Sequence, residues 1–393
     1  MAKSILFINR VYPPDYGATG QLLAELADAL VQDGWKVSVV AAHQTGGDSQ
    51  TSRAPADVSL PQPAVHRVRG LAFTRASNWQ RALSYASLYP AILWRVLRLP
   101  RNEVVVTLTD PPLHLLLGPV IQFCKRSRLI HWAQDVYPEV AEELDVLRKG
   151  GLAARLLRSL STWALRRHDT IIAVGACMKQ RLLARGIDGE KITIISNWAV
   201  ALKNSPPLPA HRNPQPFTVL YSGNFGLAHP FEGIVDAVKI LEREGSQVRF
   251  IFAGAGAQRD SVCAQLAGCR NVEFRDPAPL DKLQQSLASA DVHLACMKNE
   301  LLGLVVPSKV YGALASARPC IFLGPDPSEA ARLLISSGTG CVLDPMDGLG
   351  LAELLRRWSA RGLEFSTVQT ACETLARTDR YSIPLGHFIS LFR

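Results

Sequence analysis

Several features that identify common protein classes are scarce or missing in this chain of 393 residues. No apolar run reaches 18 residues, so the sequence predicts no membrane-spanning helix. The apolar stretch in MAKSILFINR is too short for a signal peptide. Eight cysteines are scattered without a CxxC pair or a histidine at zinc spacing, which argues against a zinc site and favours reduced thiols in a cytoplasmic protein.

Two nucleotide-binding fingerprints and one metal motif are also missing. The chain contains neither GxGxxG nor GxxxxGK[ST], so a dehydrogenase or a P-loop NTPase lacks its motif. No DxD metal motif follows a predicted strand. We therefore expect no metal and no other cofactor.

The composition is that of a folded protein with a basic surface. A hydrophobic fraction of 48% and a charged fraction of 20% predict a core-forming chain, and the length favours two domains. The net charge of +9 makes an anionic membrane surface or a phosphorylated substrate a plausible partner. Nucleic acid is disfavoured because no reading motif accompanies the basic residues.

Short apolar runs alternate with helical patterns in both halves of the chain. The first half opens with a strand at Ser4–Asn9 and a helix at Gln21–Asp33, and the second half restarts the alternation with a strand at Thr218–Tyr221. A proline-rich linker, 201–217, lies between them. This pattern predicts the α/β class, with two Rossmann-like domains built on parallel sheets that face an interdomain cleft.

The stretch 299–319, NELLGLVVPSKVYGALASARP, lies between two buried strands and contains a predicted helix start. Ser308 is the expected N-cap, and Lys309 follows it. Unpaired N–H groups and a lysine at a helix start favour an anion. An ordinary helix start with a solvated lysine is an equal alternative.

Two basic, apolar segments lie in the first half, at 75–101 and 147–168. Leucines and tryptophans mixed with arginines are typical of helices that bind a membrane interface. Pro90 is expected to break the first segment midway. The alternative is a pair of ordinary amphipathic helices on the sheet, with their arginines outward.

Acidic side chains follow a predicted strand at 129–133, in QDVYPE at 134–139. Asp135 is placed where α/β proteins carry their chemistry, and it can orient or deprotonate a hydroxyl. Capping of the following turn is an equal alternative for Asp135. His131 is interpreted as a packed strand residue.

Five motifs in a fixed order carry a family resemblance: NRVYPPDYGATGQLLAELADAL near the start, QDVYPE, SNWA at 196–199, YSGNFGLAH at 221–229 and VVPSKVYGALASARP at 305–319. Over nearly its whole length the chain resembles the retaining GT-B glycosyltransferases of family 4. Within that family it is similar to bacterial colanic-acid, exopolysaccharide and O-antigen transferases.

The resemblance implies an acceptor-binding domain at 1–200, a donor-binding domain at 218–375 and a C-terminal segment, 376–393, that returns to the first domain. It implies transfer of a hexosyl or N-acetylhexosaminyl group from a nucleotide-sugar donor (UDP- or GDP-sugar) to a polyprenyl-diphosphate-linked saccharide. The implied location is the cytoplasm, at the inner face of the plasma membrane.

The same resemblance and the anion chemistry give the candidate residues. Expected donor contacts are Gly17, Asn197, Ser222, Gly223, Asn224, Gly254, Ser308, Lys309 and Tyr311. Expected acceptor contacts are Tyr16, Asp135 and Glu139. Lys309 is expected to stabilise the leaving diphosphate, Asp135 to act on the acceptor hydroxyl and Glu300 to contact the donor sugar.

The chain departs from the family pattern at two places. Two glutamates eight residues apart are common in the family, and Leu304 and Gly312 occupy those positions here. A basic residue commonly follows the glycine of the SGN loop, where this chain has Asn224, with His229 further on. Two alternatives therefore stay open: a catalytically degenerate, membrane-associated saccharide-binding protein, and a UDP-sugar epimerase of the same fold.

Overall fold

The structure is a computed structural model that describes residues 3–15, 17–43, 62–71, 78–198, 216–377 and 382–393. The chain divides into two compact units. The first consists of Met1–Asn197, Gly303–Val305 and Ser382–Arg393, and the second of Trp198–Leu302 and Val306–Tyr381.

Seven parallel strands form the sheet of the first unit: β1 (Ser4–Ile8), β2 (Lys36–Ala42), β3 (Ala64–Val68), β4 (Val104–Leu108), β5 (Arg128–Ala133), β6 (Thr170–Ala173) and β7 (Ile192–Ile194). Their order is β3-β2-β1-β4-β5-β6-β7. The helices between them are α1 (Ala18–Gln32), α2 (Asn78–Arg98), α3 (Gly118–Lys125), α4 (Glu139–Glu143), α5 (Leu152–Arg167) and α6 (Ala176–Ala184). Strands such as β4, VVVTL, are buried along their whole length because helices cover both faces of a parallel sheet.

Helix α2 corrects the prediction that Pro90 breaks the first basic segment. It runs without interruption over 21 residues with Pro90 inside it. Leu88, Ile92 and Val96 lie on one face of the helix and pack into the core formed with β1, β2 and β4. Because this burial stabilises the helix from both sides of the proline, it outweighs the hydrogen bond that Pro90 cannot donate.

Six parallel strands form the sheet of the second unit: β8 (Phe217–Ser222), β9 (Val248–Ala253), β10 (Val272–Arg275), β11 (Val292–Cys296), β12 (Cys320–Leu323) and β13 (Gly340–Leu343). Their order is β10-β9-β8-β11-β12-β13. Its helices are α7 (Glu232–Arg243), α8 (Arg259–Gln265), α9 (Leu280–Ala288), α10 (Lys309–Ala315), α11 (Glu329–Ser337), α12 (Gly348–Ser359) and α13 (Leu363–Arg377). Phe217, predicted as the last linker residue, is instead the buried first residue of β8, and residues 199–215 of the linker region lie outside the described residues.

The last helix, α14 (Ser382–Phe392), belongs to the first unit. Phe388 lies 4.6 Å from the ring of Trp132, and Phe392 packs edge-on against Phe7 at 6.1 Å. The sequence suggested that Pro384 would shorten this helix. It is the third helical residue, where a missing N–H removes no intrahelical bond.

A histidine cluster, formed by His114, His131 and His168, is buried in the first unit. Thr107 Oγ1 lies 3.0 Å from His131 Nδ1 and 3.3 Å from His168 Nε2. Burial lowers the pKa of His168 to about 4 and that of His114 to about 3. His131 is thus a packed strand residue, as predicted, and the cluster is neutral at neutral pH.

Candidate functional site

Both sheets have a point where consecutive strands diverge to opposite sides. In the second sheet this point lies between β8 and β11, because the chain goes outward through β9 and β10 before it crosses back to β11. The loops that follow these two strands leave a crevice at the carboxyl edge of the sheet, where α/β proteins bind ligands. YSGNFGLAH lies at the end of β8, and the PSK segment follows β11.

Lys309, at the start of α10, extends into this crevice. Its Nζ lies 2.9 Å from His229 Nε2 and 5.1 Å from the centroid of the Tyr221 ring. Burial lowers the pKa of Lys309 to about 8. A lysine held here in a half-buried position is a cation that an anionic ligand would stabilise.

The hydrogen bonds of His229 fix which ring nitrogen carries the proton. Nδ1 lies 2.8 Å from the carbonyl oxygen of Cys296, which can only accept, so Nδ1–H donates. Nε2 then carries the lone pair that accepts from Lys309. Burial and the Lys309 charge lower the pKa of His229 to about 3, so the imidazole is neutral at physiological pH.

Two glycines shape the floor of the crevice. Gly223 has φ 138°, and a Cβ there would lie 2.7 Å from Lys309 Cε. Gly254 has φ 148°, and a Cβ there would lie 1.9 Å from the Gly223 carbonyl oxygen. Only glycine permits this backbone conformation and this close packing of two strand-end loops under the lysine.

The predicted donor residues do not all meet in this crevice. Gly223, Gly254 and Lys309 are neighbours, and Ser222 and Asn224 belong to the same loop. Their role in donor binding stays a prediction.

Three further donor-side residues lie around the start of α10. Ser308 is the N-cap residue, as predicted, but its side chain makes no capping hydrogen bond. Tyr311 is only 8% exposed, and burial raises its pKa. Glu300 lies exposed in a single 3-10 turn, Asn299–Leu301.

The first unit has its own cluster at the carboxyl ends of β4 and β5. Asp110 pairs with Arg10, with Nε 2.7 Å from Oδ1. Thr109 Oγ1 accepts from the backbone N–H groups of Gln134 and Asp135 at 2.8 and 3.4 Å. Burial, with a smaller contribution from the Asp110 charge, raises the pKa of Asp135 to about 7.

Other residues predicted for the first unit have structural partners. Asn197 exchanges two amide hydrogen bonds with Gln134, at 2.8 and 3.0 Å. Glu139 pairs with Arg158 at 3.1 Å and with Arg185 at 3.4 Å.

Those contacts give Asn197 and Glu139 a role in holding the loop, and their substrate roles remain predictions. Gly17 is the N-cap of α1 with extended backbone, and Tyr16 lies outside the described residues.

Sequence reasoning did not single out two polar residues of the crevice. His229 was noted only as a basic residue beyond the SGN loop, and Gln258 not at all. Gln258 Nε2 donates to the carbonyl oxygens of Gly226 and His229 at 2.6 and 2.9 Å. Only the position of His229 inside YSGNFGLAH could have indicated it, since its partner Lys309 lies 80 residues away. Within the described residues, no three His, Cys, Asp or Glu side chains cluster as metal ligands.

Comparison with known proteins places this geometry in a family. Residues 17–198 match the glycosyl transferase 4-like domain, and residues 216–360 match the glycosyl transferases group 1 domain. The chain is 29% identical over 296 residues to "Probable glycosyltransferase WbjE" of Pseudomonas aeruginosa, which covers 71% of this chain and 73% of that protein. It is 27% identical over 180 residues, 42% of this chain and 43% of the relative, to WcaI of Escherichia coli (strain K12), named as a colanic acid biosynthesis glycosyl transferase.

Among solved structures, HepE from Anabaena in complex with UDP superposes with a TM-score of 0.67 at 14% identity, and 98% of each chain is covered. The likeness in fold extends over both units. The predicted GT-B architecture, with a parallel sheet in each half, is thus confirmed. The chain therefore belongs to the GT-B glycosyltransferases, with a glycosyl transferase 4-like domain followed by a group 1 domain.

Proposed function

We propose that this glycosyltransferase moves a hexosyl or N-acetylhexosaminyl group from a UDP- or GDP-sugar to a polyprenyl-diphosphate-linked saccharide, with retention of configuration. The observation that carries the proposal is the Lys309 ammonium, held over Gly223 at the strand switch point of the second unit. The printed names of the relatives support a role in exopolysaccharide, O-antigen or capsule synthesis. HepE, which shares the fold, binds UDP.

Lys309 would act on the leaving group. Cleavage of the sugar–phosphate bond leaves negative charge on the diphosphate, and a fixed cation in a site of low water content lowers the barrier to that charge. A diphosphate beside the amine would also raise the pKa of Lys309 from about 8, so that the lysine stays charged through the reaction. We propose that the enzyme meets this requirement without a metal.

Asp135 would serve the acceptor in the first unit. A carboxyl group with a pKa of about 7 is half ionised at neutral pH and can accept a proton from a sugar hydroxyl. Turnover should then increase with pH through about 7, and Asp135→Asn should lower kcat by about 10²–10⁴-fold, the usual contribution of general-base catalysis. Glu300, exposed beyond β11, stays the candidate contact for the donor sugar.

The acceptor's lipid leads to a second part of the proposal, an anionic membrane surface as partner. Helix α3 packs against both α2 and α5. Large apolar side chains project from all three helices into solvent: Trp94, Val120, Phe123, Leu152, Leu156, Leu160 and Trp163. We call this set the apolar face.

Arginines accompany the apolar face. The guanidinium of Arg98 lies 4.0 Å from the Trp94 ring centroid, and that of Arg167 lies 4.3 Å from the Trp163 ring centroid. On α5 the exposed leucines recur every fourth residue, so they form one stripe. No helix among the described residues is long and apolar enough to cross a bilayer. Exposed apolar stripes edged by arginine suit peripheral binding to an anionic interface.

Flotation with liposomes tests the membrane part. Binding should require anionic lipid and decrease with salt, since each basic residue near the surface contributes about 1 kcal/mol. Leu152→Ser should weaken binding about tenfold, because a buried leucine contributes about 1.5–3 kcal/mol.

The matched control is Leu363→Ser in the second unit, where the leucine is 85% exposed against 86% for Leu152. Equal effects of the two substitutions, or equal recovery on neutral and anionic vesicles, would contradict a role for the apolar face.

A transfer assay tests the chemistry. Purified protein is mixed with UDP- or GDP-sugars and a polyprenyl-diphosphate-linked saccharide, and free nucleotide and product anomers are measured. Release of nucleotide only when acceptor is present, with the α or β configuration of the donor kept, supports the proposal. Nucleotide binding without transfer would indicate a binding protein, and conversion of the donor sugar without acceptor would indicate an epimerase.

A further inference from the structure

His229 has contacts on both ring nitrogens and lies beside the presumed diphosphate site, yet donor binding alone gives it no task. It is held from three sides. Nδ1–H donates to the Cys296 carbonyl at the end of β11, its backbone N–H donates to Gly226, and its backbone carbonyl accepts from Gln258. The imidazole therefore has a fixed position and a fixed tautomer before any ligand arrives.

The lysine beside it is restrained mainly by this ring. Among the described residues, the Lys309 ammonium makes one hydrogen bond, to His229 Nε2, which leaves two of its three N–H groups for a ligand. The Tyr221 ring lies below the charge, and Tyr221 is itself fixed because its hydroxyl donates to the Asn224 carbonyl at 2.7 Å. A lysine side chain otherwise has four rotatable bonds and would sample many positions.

We infer that His229 is a positioning residue, which holds the Lys309 ammonium through Nε2 so that the remaining N–H groups face the diphosphate of the donor. This inference rests on the proposed function, since it concerns the same site. The structure points to a neutral acceptor here because a charged histidine would repel the lysine. A ring that is already hydrogen-bonded at Nδ1 cannot rotate away.

The arrangement also affects the charge of the lysine. The titratable groups around Lys309 are Tyr221 from β8, His229 from the following loop and the Cys296 thiol from β11, with Glu232 of α7 near that thiol. Burial lowers the pKa of Lys309 to about 8, and the lone pair of His229 stabilises the ammonium form against that effect. Without this acceptor the amine should lose its proton at a lower pH.

Two substitutions separate the two ring nitrogens. His229→Asn keeps a donor at the place of Nδ1 but has no acceptor that reaches Lys309. His229→Gln has an amide oxygen at the place of Nε2 and gives up the bond to Cys296. A residue that only stabilises the fold would respond to both changes, whereas a positioning residue for Lys309 would be restored by glutamine.

The first measurement needs no nucleotide. Lys309 is acetylated with acetic anhydride across pH 6–10 in each full-length protein, and mass spectrometry follows the modification of that lysine. We expect the midpoint in His229→Asn to fall by about one pH unit, the equivalent of one charge-stabilising hydrogen bond, and that of His229→Gln to stay near wild type. Equal midpoints in wild type and His229→Asn would overturn the inference.

The second measurement is calorimetric titration with UDP and GDP. At pH 8, affinity for the nucleotide that wild type binds should fall about tenfold in His229→Asn and stay within about threefold in His229→Gln. An equal loss in both variants at every pH would also overturn the inference, because that is the signature of a purely structural residue. If wild type binds neither nucleotide, the proposed function fails, and the acetylation midpoints still decide the role of His229.

Discussion

Replacement of Lys309 by methionine should weaken nucleotide binding and leave the fold at least as stable. Methionine keeps the chain length that packs over Gly223 and removes only the charge. A charge-assisted hydrogen bond to phosphate contributes about 1.5–3 kcal/mol, so the Kd for the bound nucleoside diphosphate should increase about 10- to 150-fold.

The effect on stability follows from the pKa of the lysine. Burial lowers it from 10.5 to about 8, so at pH 7 the fold carries a charge that costs up to about 3 kcal/mol. The unfolded chain binds more protons than the folded one between these two pH values, and stability therefore increases with pH through that window. Methionine removes this cost, and the increase with pH should disappear.

Two losses offset the gain. The hydrogen bond to His229 and the contact with the Tyr221 ring each contribute about 1 kcal/mol. Because Lys309 stays partly accessible to water, the desolvation cost lies below the upper figure. The free energy of unfolding at pH 7 should thus be unchanged or about 1 kcal/mol higher.

Isothermal titration calorimetry with UDP and GDP gives the first quantity, and urea unfolding followed by circular dichroism gives the second. Lys239→Met, on the late part of α7, is the control for loss of a positive charge elsewhere in the same unit. An unchanged Kd together with a loss of more than about 1 kcal/mol of stability would refute the reasoning, because Lys309 would then be a structural residue.

Three further predictions follow from the fold. Gly223→Ala should weaken nucleotide binding because its Cβ displaces the Lys309 chain, whereas Gly245→Ala, also at positive φ but with open space around it, should cost only stability; calorimetry and thermal melts distinguish the two. Deletion of Ser382–Arg393 should lower the free energy of unfolding by about 3–6 kcal/mol, since two phenylalanines lose their burial, and native melting of the truncated protein would contradict this. The histidine cluster binds protons when unfolded but not when folded, so stability measured in urea should fall from pH 6.5 toward pH 4, by about 1.4 kcal/mol per pH unit for each ring; equal stability at pH 7 and pH 5 would exclude it.

Local pattern in the sequence was sufficient for the architecture. Short buried runs such as 104–108 read as strands of a parallel sheet because both faces are apolar, and the amphipathic period of 152–167 predicts its helix. Strand ends carry the polar residues of both candidate sites, so Asp135 and Lys309 were found from order along the chain alone.

Where a local rule met a packed core, the local rule failed. The ring of Pro90 would end an isolated helix, yet α2 continues through it because the surrounding apolar side chains are buried against the sheet. Glu139 looked available for a ligand, but two arginines from α5 and the loop after α6 hold its carboxylate. No spacing in the sequence indicates these partners, which lie 19 and 46 residues away.

The amino-acid sequence by itself determined the two α/β alternations, the glycine-containing loops at strand ends and the basic, apolar segments, since these depend on neighbours within one or two turns of chain. The tertiary structure alone decided that His229 faces Lys309 across 80 residues. That pairing arises because β8 and β11 are adjacent in the sheet although β9 and β10 separate them in sequence. Which nitrogen of His229 accepts, and how far burial lowers the lysine pKa, are consequences of that packing.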